Sequence, residues 1–326
     1  MPPPKKDRQI LILKIKRGFL LAFCFLFFFI PSQNWYSVVQ ANPQPSPLQK
    51  LDFGIPLVAN YPVNLGQSHR PDLTAHAFIV IDYQSMALLT GRNENLRVLP
   101  ASTVKIMTAL VALDHYSLDE VLTVGEVKEN GQSMDLIKGE KMTVRNLLYG
   151  LLVASANDAA LVLAQNYPGG EKFFVEAMNQ KAQELNLTHT YFANPTGLDS
   201  DPQDNLLTDF SYSTALDLAR LAAVTVEDEF LSKIFSTNTI TVNDVEGKMV
   251  HKLDNINQLL SQVPGMKGVK TGWTEEAGEC LVGYMEEDGH GIITVVLGSQ
   301  DRFGETVKLK NWVFENFRWI EITPSI

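Results

Sequence analysis

Ser102 and Lys105 stand three residues apart in the stretch Pro100-Ala101-Ser102-Thr103-Val104-Lys105-Ile106-Met107-Thr108. On a helix opening at Ser102, positions i and i+3 share a face, so hydroxyl and amine come within mutual reach. Such a pair is a nucleophile beside a base. A serine hydroxyl is inert at neutral pH unless a neighbour takes its proton. A lysine does so only when burial or nearby cations keep it partly neutral. The same two residues also read as a helix cap and a solvated charge, so this spacing does not by itself establish catalysis. Val104, Ile106, Met107, Ala109, Leu110 and Val111 make the helix almost wholly apolar, which assigns it to a core with its polar pair at the first turn. There Ser102 suits an N-cap, and the positive helix end would favour an alkoxide or oxyanion.

The rest of the chain must position that turn. Its 326 residues, 45% apolar, suffice for one large core or two modest ones. Met1 to Arg17 carries six basic residues against Asp7, and Gly18 to Ile30 is apolar and uncharged. With Val39-Gln40-Ala41 beyond it, residues 1–41 read as a secretory signal peptide, or as an uncleaved anchor. In both cases the remainder is exported. Without those residues, 27 basic and 37 acidic side chains fall to 21 and 36, a formal charge of −15. That argues against nucleic acid and against adhesion to an anionic bilayer. Cys24 lies in the signal, so Cys280 is left alone and packing must hold the exported fold. The six histidines are scattered and no Gly-rich phosphate loop occurs, so no metal, nucleotide or other cofactor is expected.

Residues 42–72, rich in Pro, Gln, Asn and Ser, read as a flexible linker or a loosely draped arm. Ala75 to Asp82 and Met86 to Gly91 flank a tight turn and predict two antiparallel strands. Leu118 to Val144 predicts short strands and loops. Thr143 suits the cap of a helix ending at Ser155-Ala156-Asn157, and Asp158 to Ala164 predicts a buried helix. Phe173 to Leu185 has helical spacing, and Ser213 suits the cap of a helix over Thr214 to Ala223. The period then changes. Gly268 to Gly272, Cys280 to Tyr284 and Gly291 to Leu297 predict strands, the last two joined through Asp288-Gly289; Phe303 to Ile320 predicts a closing amphipathic helix. Strands at both ends with helices between predict an α+β fold: an antiparallel sheet with packed helices and a helical lobe, as one catalytic domain over 73–322.

Three short motifs follow in order: Ser102-Thr103-Val104-Lys105, Ser155-Ala156-Asn157 and Lys270-Thr271-Gly272. Each is weak alone. A Lys-Thr-Gly strand end is most often a strand running into a turn, and Ser-Ala-Asn a loop capping the next helix. Together they match the layout of penicillin-recognising serine enzymes. Gly131-Gln-Ser-Met134, Asn194-Pro-Thr-Gly-Leu198, Ser213 to Ala219 and Gly268 to Leu281 extend the match. The chain from about 73 to 320 resembles the serine-type D-alanyl-D-alanine carboxypeptidases, the low-molecular-mass penicillin-binding proteins with a β-lactamase/transpeptidase-like fold.

That resemblance implies removal of the terminal D-alanine from peptidoglycan pentapeptides through an acyl-enzyme, with penicillin as inhibitor. It makes Ser102 the nucleophile and Lys105 its base. Ser155 would relay a proton to the leaving amine, while Asn157 would fix Lys105 and the substrate amide. Lys270 and Thr271 would hold the leaving carboxylate, and backbone N–H groups of Ser102 and Trp273 would form the oxyanion hole. Gly272 would leave room for substrate along the strand edge. Arg302 resembles the family arginine near the carboxylate pocket, or is a surface arginine at a helix start. The implied partners are peptidoglycan stem peptides and β-lactam antibiotics, met by a monomer in the periplasm or cell-wall space. Some family members continue into a β-rich domain and a membrane helix; the sequence ends at Ile326 without either, so attachment by that route is not expected.

Three other readings share these motifs. A β-lactamase would need a water-activating carboxylate, usually in a Glu-x-x-Leu-Asn segment, which does not occur between Asn157 and Lys270; position 156 is Ala, where many β-lactamases carry an acid. A peptidoglycan endopeptidase would use the same machinery on crosslinks. A non-catalytic β-lactam sensor would normally need more membrane-spanning segments than the one candidate here.

Overall fold

The computed structural model describes residues 59–66, 68–127, 131–199 and 210–322. All of them fall within one compact unit, Ile55–Ile326. The expected signal over 1–41, the first part of the expected linker and most of the polar loop after Asp199 lie outside the described residues.

A five-stranded antiparallel sheet forms the frame, in the order β3-β2-β10-β9-β8. Its strands are β2 (Ala77–Asp82), β3 (Leu88–Arg92), β8 (Met266–Thr274), β9 (Gly278–Glu287) and β10 (His290–Ser299). Both faces are covered, which is why the central strands read as unbroken apolar runs. Within β2, Phe78 and Val80 point into one core cluster while Ala77, Ile79 and Ile81 point into the other. The side-chain period of two makes that division. Asp288 and Gly289, at φ of 51° and 79°, join β9 to β10. Two successive positive φ values give the type I′ turn whose twist suits a hairpin. Strand β8 lies at the sheet edge, so one side of its Lys-Thr-Gly segment has no neighbouring strand.

Helix α1 (Lys105–His115) runs through the larger core cluster, preceded by a 3₁₀ turn over Ala101–Val104. Around it stand α2 (Val144–Val153), α3 (Asn157–Gln165), α4 (Glu171–Glu184), α5 (Ala215–Val226) and α6 (Glu229–Phe235). Two small hairpins, β4–β5 (Val121–Thr123, Lys141–Thr143) and β6–β7 (Thr239–Asn243, Val250–Asp254), border this lobe. Thr143 caps α2 as expected, its Oγ1 accepting from Asn146 N at 3.2 Å. The cap of α5 is Thr214, one residue beyond the expected Ser213. Ser213 is engaged elsewhere, through backbone bonds to Val98 and its Oγ on Thr190 Oγ1 at 2.8 Å.

Two expectations are corrected. The last helix, α8 (Arg302–Asn316), which follows the short α7 (Leu259–Gln262) in helix order, stops before Ile320, and Phe317–Ile322 forms a strand, β11. Its partner is β1 (Ala59–Asn64), inside the stretch read as a linker. Residues 59–66 and 68–72 are therefore not a free tether. Ser68 Oγ bonds Asn316 Oδ1 at 2.7 Å, Arg70 lies over the Phe78 ring, and Leu73 is buried. Local apolar density is too low to signal this strand, because its partner lies some 250 residues away along the chain. Pro62 is tolerated because β1 is a sheet edge, where a missing N–H costs no ladder bond. Among the described residues no helix is long and apolar enough to cross a membrane.

Candidate active site

Ser102 lies inside the 3₁₀ turn, not at the cap of an α-helix as expected, and no side chain caps that turn. Three residues per turn stack i directly over i+3. Lys105 Nζ accordingly stands 2.9 Å from Ser102 Oγ, with the whole lysine buried. The turn is wound tightly: Ala101 takes φ of 48°, a left-handed value that costs a non-glycine residue energy and persists only where packing enforces it.

The enforcing element is the Asn194-Pro195-Thr196-Gly197 turn. Asn194 Oδ1 accepts from Thr196 N at 3.1 Å, Thr196 Oγ1 at 3.0 Å and Gly197 N at 2.7 Å. So organised, the turn presents Thr196 O to Lys105 Nζ at 2.5 Å and Pro195 O to Thr108 Oγ1 at 2.7 Å. Gly197 has φ of 78°, and a Cβ there would come 2.1 Å from Ala101 O. The motif was visible in the sequence, but its task of aiming Lys105 was not.

Across from this turn, Ser155 links α2 to α3, again at a positive φ, 59°. Lys270 of β8 donates to Ser155 Oγ at 2.9 Å and to Thr271 O at 2.8 Å. Lys270 is fully buried, and burial first, then the charges of Lys105 and Arg302, hold its pKa well below the ordinary lysine value. Two Ser–Lys pairs thus share one site, both serines lining a single cleft. The amine of Lys270, expected to grip a carboxylate, is turned toward Ser155. Asn157 is buried at the start of α3, with its backbone N donating to Gln132 O at 2.8 Å.

Gly272 also meets a packing need that the sequence did not show. A Cβ at this position would meet Ser102 N at 2.9 Å and Ala101 Cβ at 3.0 Å. The missing side chain admits the nucleophile turn against β8, on a stretch of strand that also lines the cleft. Thr271 is buried beside it, and Trp273 is 60% exposed at the cleft mouth. Arg302, the first residue of α8, donates its backbone N–H to Glu279 Oε2 at 2.8 Å and its Nη1–H to Gly272 O at 2.8 Å. Burial lowers the Arg302 pKa, and Glu279 opposes that shift.

These groups open into a cleft of about 360 Å³ lined by Ser102, Gln132, Ser155, Ile256, Thr271, Gly272, Trp273, Glu279 and Arg302. All nine expected site residues therefore lie in or directly behind one cleft. Gln132, Ile256 and Glu279 were missed as lining residues. Gln132 and Glu279 stood inside segments that carried the family resemblance, whereas nothing local marked Ile256. A larger, more open groove beside α4, at Glu171, Asn179 and Tyr191, contains none of the nine. No group of three or more His, Cys, Asp or Glu side chains among the described residues could hold a metal ion.

The peptidase S11 family, described as D-alanyl-D-alanine carboxypeptidase, matches residues 65–301. The D-alanyl-D-alanine carboxypeptidase DacF of Bacillus subtilis is 32% identical over 253 residues, covering 74% of this chain and 63% of that protein. A D-alanyl-D-alanine endopeptidase of Pseudomonas aeruginosa is 34% identical, covering 78% of this chain and 82% of its own length. The chain thus spans a little under two thirds of the first curated relatives it matches. The solved Streptomyces K15 DD-transpeptidase superposes with a TM-score of 0.70 at 31% identity, over 76% of this chain and 100% of that one. The match over most of the chain, on a sheet and helical lobe that converge on two Ser–Lys pairs, establishes that the protein belongs to the peptidase S11 family of D-alanyl-D-alanine carboxypeptidases.

Proposed function

We propose that the chain is a serine-type D-alanyl-D-alanine carboxypeptidase that removes the terminal D-alanine from peptidoglycan pentapeptides and is acylated by penicillin. The observation that carries this reading is the 2.9 Å approach of Lys105 Nζ to Ser102 Oγ, at the floor of a cleft that also holds Ser155, Thr271 and Arg302. Lys105 takes the Ser102 proton as Oγ attacks the penultimate D-alanine carbonyl. Burial and the charges of Lys105 and Arg302 push the Lys270 pKa down, and like-charge repulsion in one cluster favours a neutral amine, the direction a base requires. Collapse of the tetrahedral intermediate breaks the C–N bond, with Ser155 passing a proton from the Lys105–Lys270 network to the departing amine. Thr271 and Arg302 hold the carboxylate of the leaving residue, and Lys270 acts through Ser155. Water then attacks the Ser102 ester and restores the hydroxyl. In a β-lactam the expelled nitrogen stays tethered to the acyl group, so the same first step leaves a lasting adduct.

The substrate class calls for export, which fits residues 1–41 as a signal or anchor. An endopeptidase activity on crosslinks is the second reading, favoured by the Pseudomonas aeruginosa relative. To test both, the chain lacking residues 1–41 is incubated with a pentapeptide ending in D-Ala-D-Ala and with a crosslinked dimer. D-alanine release from the pentapeptide supports the first reading. Dimer cleavage without such release supports the second. Rapid penicillin turnover would instead make the protein a β-lactamase.

A further inference from the structure

His251 and Glu140 form a buried pair that the proposed chemistry leaves unused, their side chains only 5% and 3% exposed. His251 Nδ1 lies 2.7 Å from Met134 O, and its Nε2 lies 2.6 Å from Glu140 Oε1. A carbonyl oxygen only accepts, so Nδ1 carries hydrogen. One proton must then sit between Nε2 and Oε1, whichever atom holds it. The other Glu140 oxygen accepts from Ile137 N at 3.0 Å, so each polar atom of the pair is matched.

What the pair joins gives it a role. Glu140 and Met134 belong to the 131–140 loop, which carries Gln132 into the cleft. His251 belongs to β7, which runs on to Ile256, another lining residue. The near end of the loop is anchored independently on Asp158, which accepts from Ser133 Oγ at 2.7 Å, Met134 N at 3.1 Å and Leu136 N at 2.9 Å. His251 therefore ties β7, which leads to Ile256, to the far end of a loop whose near end, beside Gln132, is already held by Asp158. On the proposed activity Thr271 and Arg302 hold the leaving residue, which leaves Gln132 and Ile256 for the acyl part of the stem peptide.

We propose that the His251–Glu140 pair positions the stem-peptide wall of the cleft by setting the gap between Gln132 and Ile256. This inference rests on the cleft being a peptide site.

The test compares His251→Phe, Glu140→Gln and the double variant His251→Phe/Glu140→Met in the full exported chain. Two reactions are read: D-alanine release from a pentapeptide, and acylation by 6-aminopenicillanic acid, which lacks an acyl side chain to reach the wall. His251→Phe strands a buried carboxylate and is expected to lower thermal stability. The double variant removes that charge and recovers part of the loss, which keeps the test open should the single variant fail to fold. A weakened wall predicts a pentapeptide KM raised about 10-fold in both, with 6-aminopenicillanic acid acylation changed less than about 3-fold. Glu140→Gln keeps both bonds, donating to Nε2 and accepting from Ile137 N, and should retain the wild-type KM. If the double variant shows wild-type KM, or if both reactions slow equally, the pair is only structural and the inference is overturned. A wild-type chain that releases no D-alanine overturns the proposed activity and the peptide wall with it, a result visible without any variant.

Discussion

Lys270 Nζ donates to Ser155 Oγ at 2.9 Å, in the cleft that Ser102 of the Ser102–Lys105 pair also lines. The amine has no water to fall back on, since the side chain is buried and its pKa is held well below 10.5 by burial and by Lys105 and Arg302. This is electrostatic cost placed where acyl transfer needs a mobile proton.

That cost is measurable through pH. Between the depressed folded value and the ordinary 10.5, the unfolded chain binds the Lys270 proton more fully than the folded one, so the Lys270 contribution to stability rises with pH. Denaturant titrations of wild type and Lys270→Met from neutral pH upward should show their stability difference moving in favour of wild type. Tyr116 and Tyr284, whose pKa values are raised mainly by burial, occur in both proteins and cancel in that difference. Parallel profiles would show that Lys270 titrates normally.

Gly272→Ala tests the contact between β8 and the nucleophile turn. Its Cβ would come within 2.9 Å of Ser102 N. Overpacking of this kind costs about 1–3 kcal/mol, and the displaced Ser102 should slow fluorescent penicillin labelling about 100-fold. Unchanged labelling would mean that the turn has freedom to move.

Asn194→Ala removes the acceptor that organises Thr196 and Gly197. Thr196 O then loses its fixed place beside Lys105, and labelling should slow by about 10-fold while Ser102 remains the modified residue. Stopped-flow acylation checks the rate, and peptide mapping checks the site.

Trp319→Phe probes the strand pairing at the other end of the molecule. Trp319 Nε1 donates to Asp82 Oδ1 at 2.6 Å, and Asp82 is fully buried. Losing that donor should cost about 1–3 kcal/mol in chemical denaturation, with the labelling rate within about twofold of wild type. A stability unchanged by the substitution would place Asp82 in contact with water.

The contrast between Ser102 and Trp319 explains what was legible in the sequence. Ser102–Lys105 is a local pattern, and its i, i+3 spacing works in a 3₁₀ turn as well as in an α-helix, so the geometry survived the error in helix type. The buried strands announced themselves through runs such as Ala77 to Ile81. Phe317 to Ile322 did not, because a few apolar residues after a helix satisfy a helical and a strand period equally, and the deciding partner, Ala59–Asn64, lies at the far end of the domain. Ile256 and the His251–Glu140 pair were hidden for the same reason. Gly272 was noticed, but a sequence does not tell which neighbour needs the space.

The most direct measurement is mass spectrometry of the penicillin adduct after proteolysis. The account predicts a single acylated peptide with the modification on Ser102, lost in Ser102→Ala and retained in Ser155→Ala at a reduced rate. Acylation of Ser155, or labelling that persists in Ser102→Ala, would contradict it.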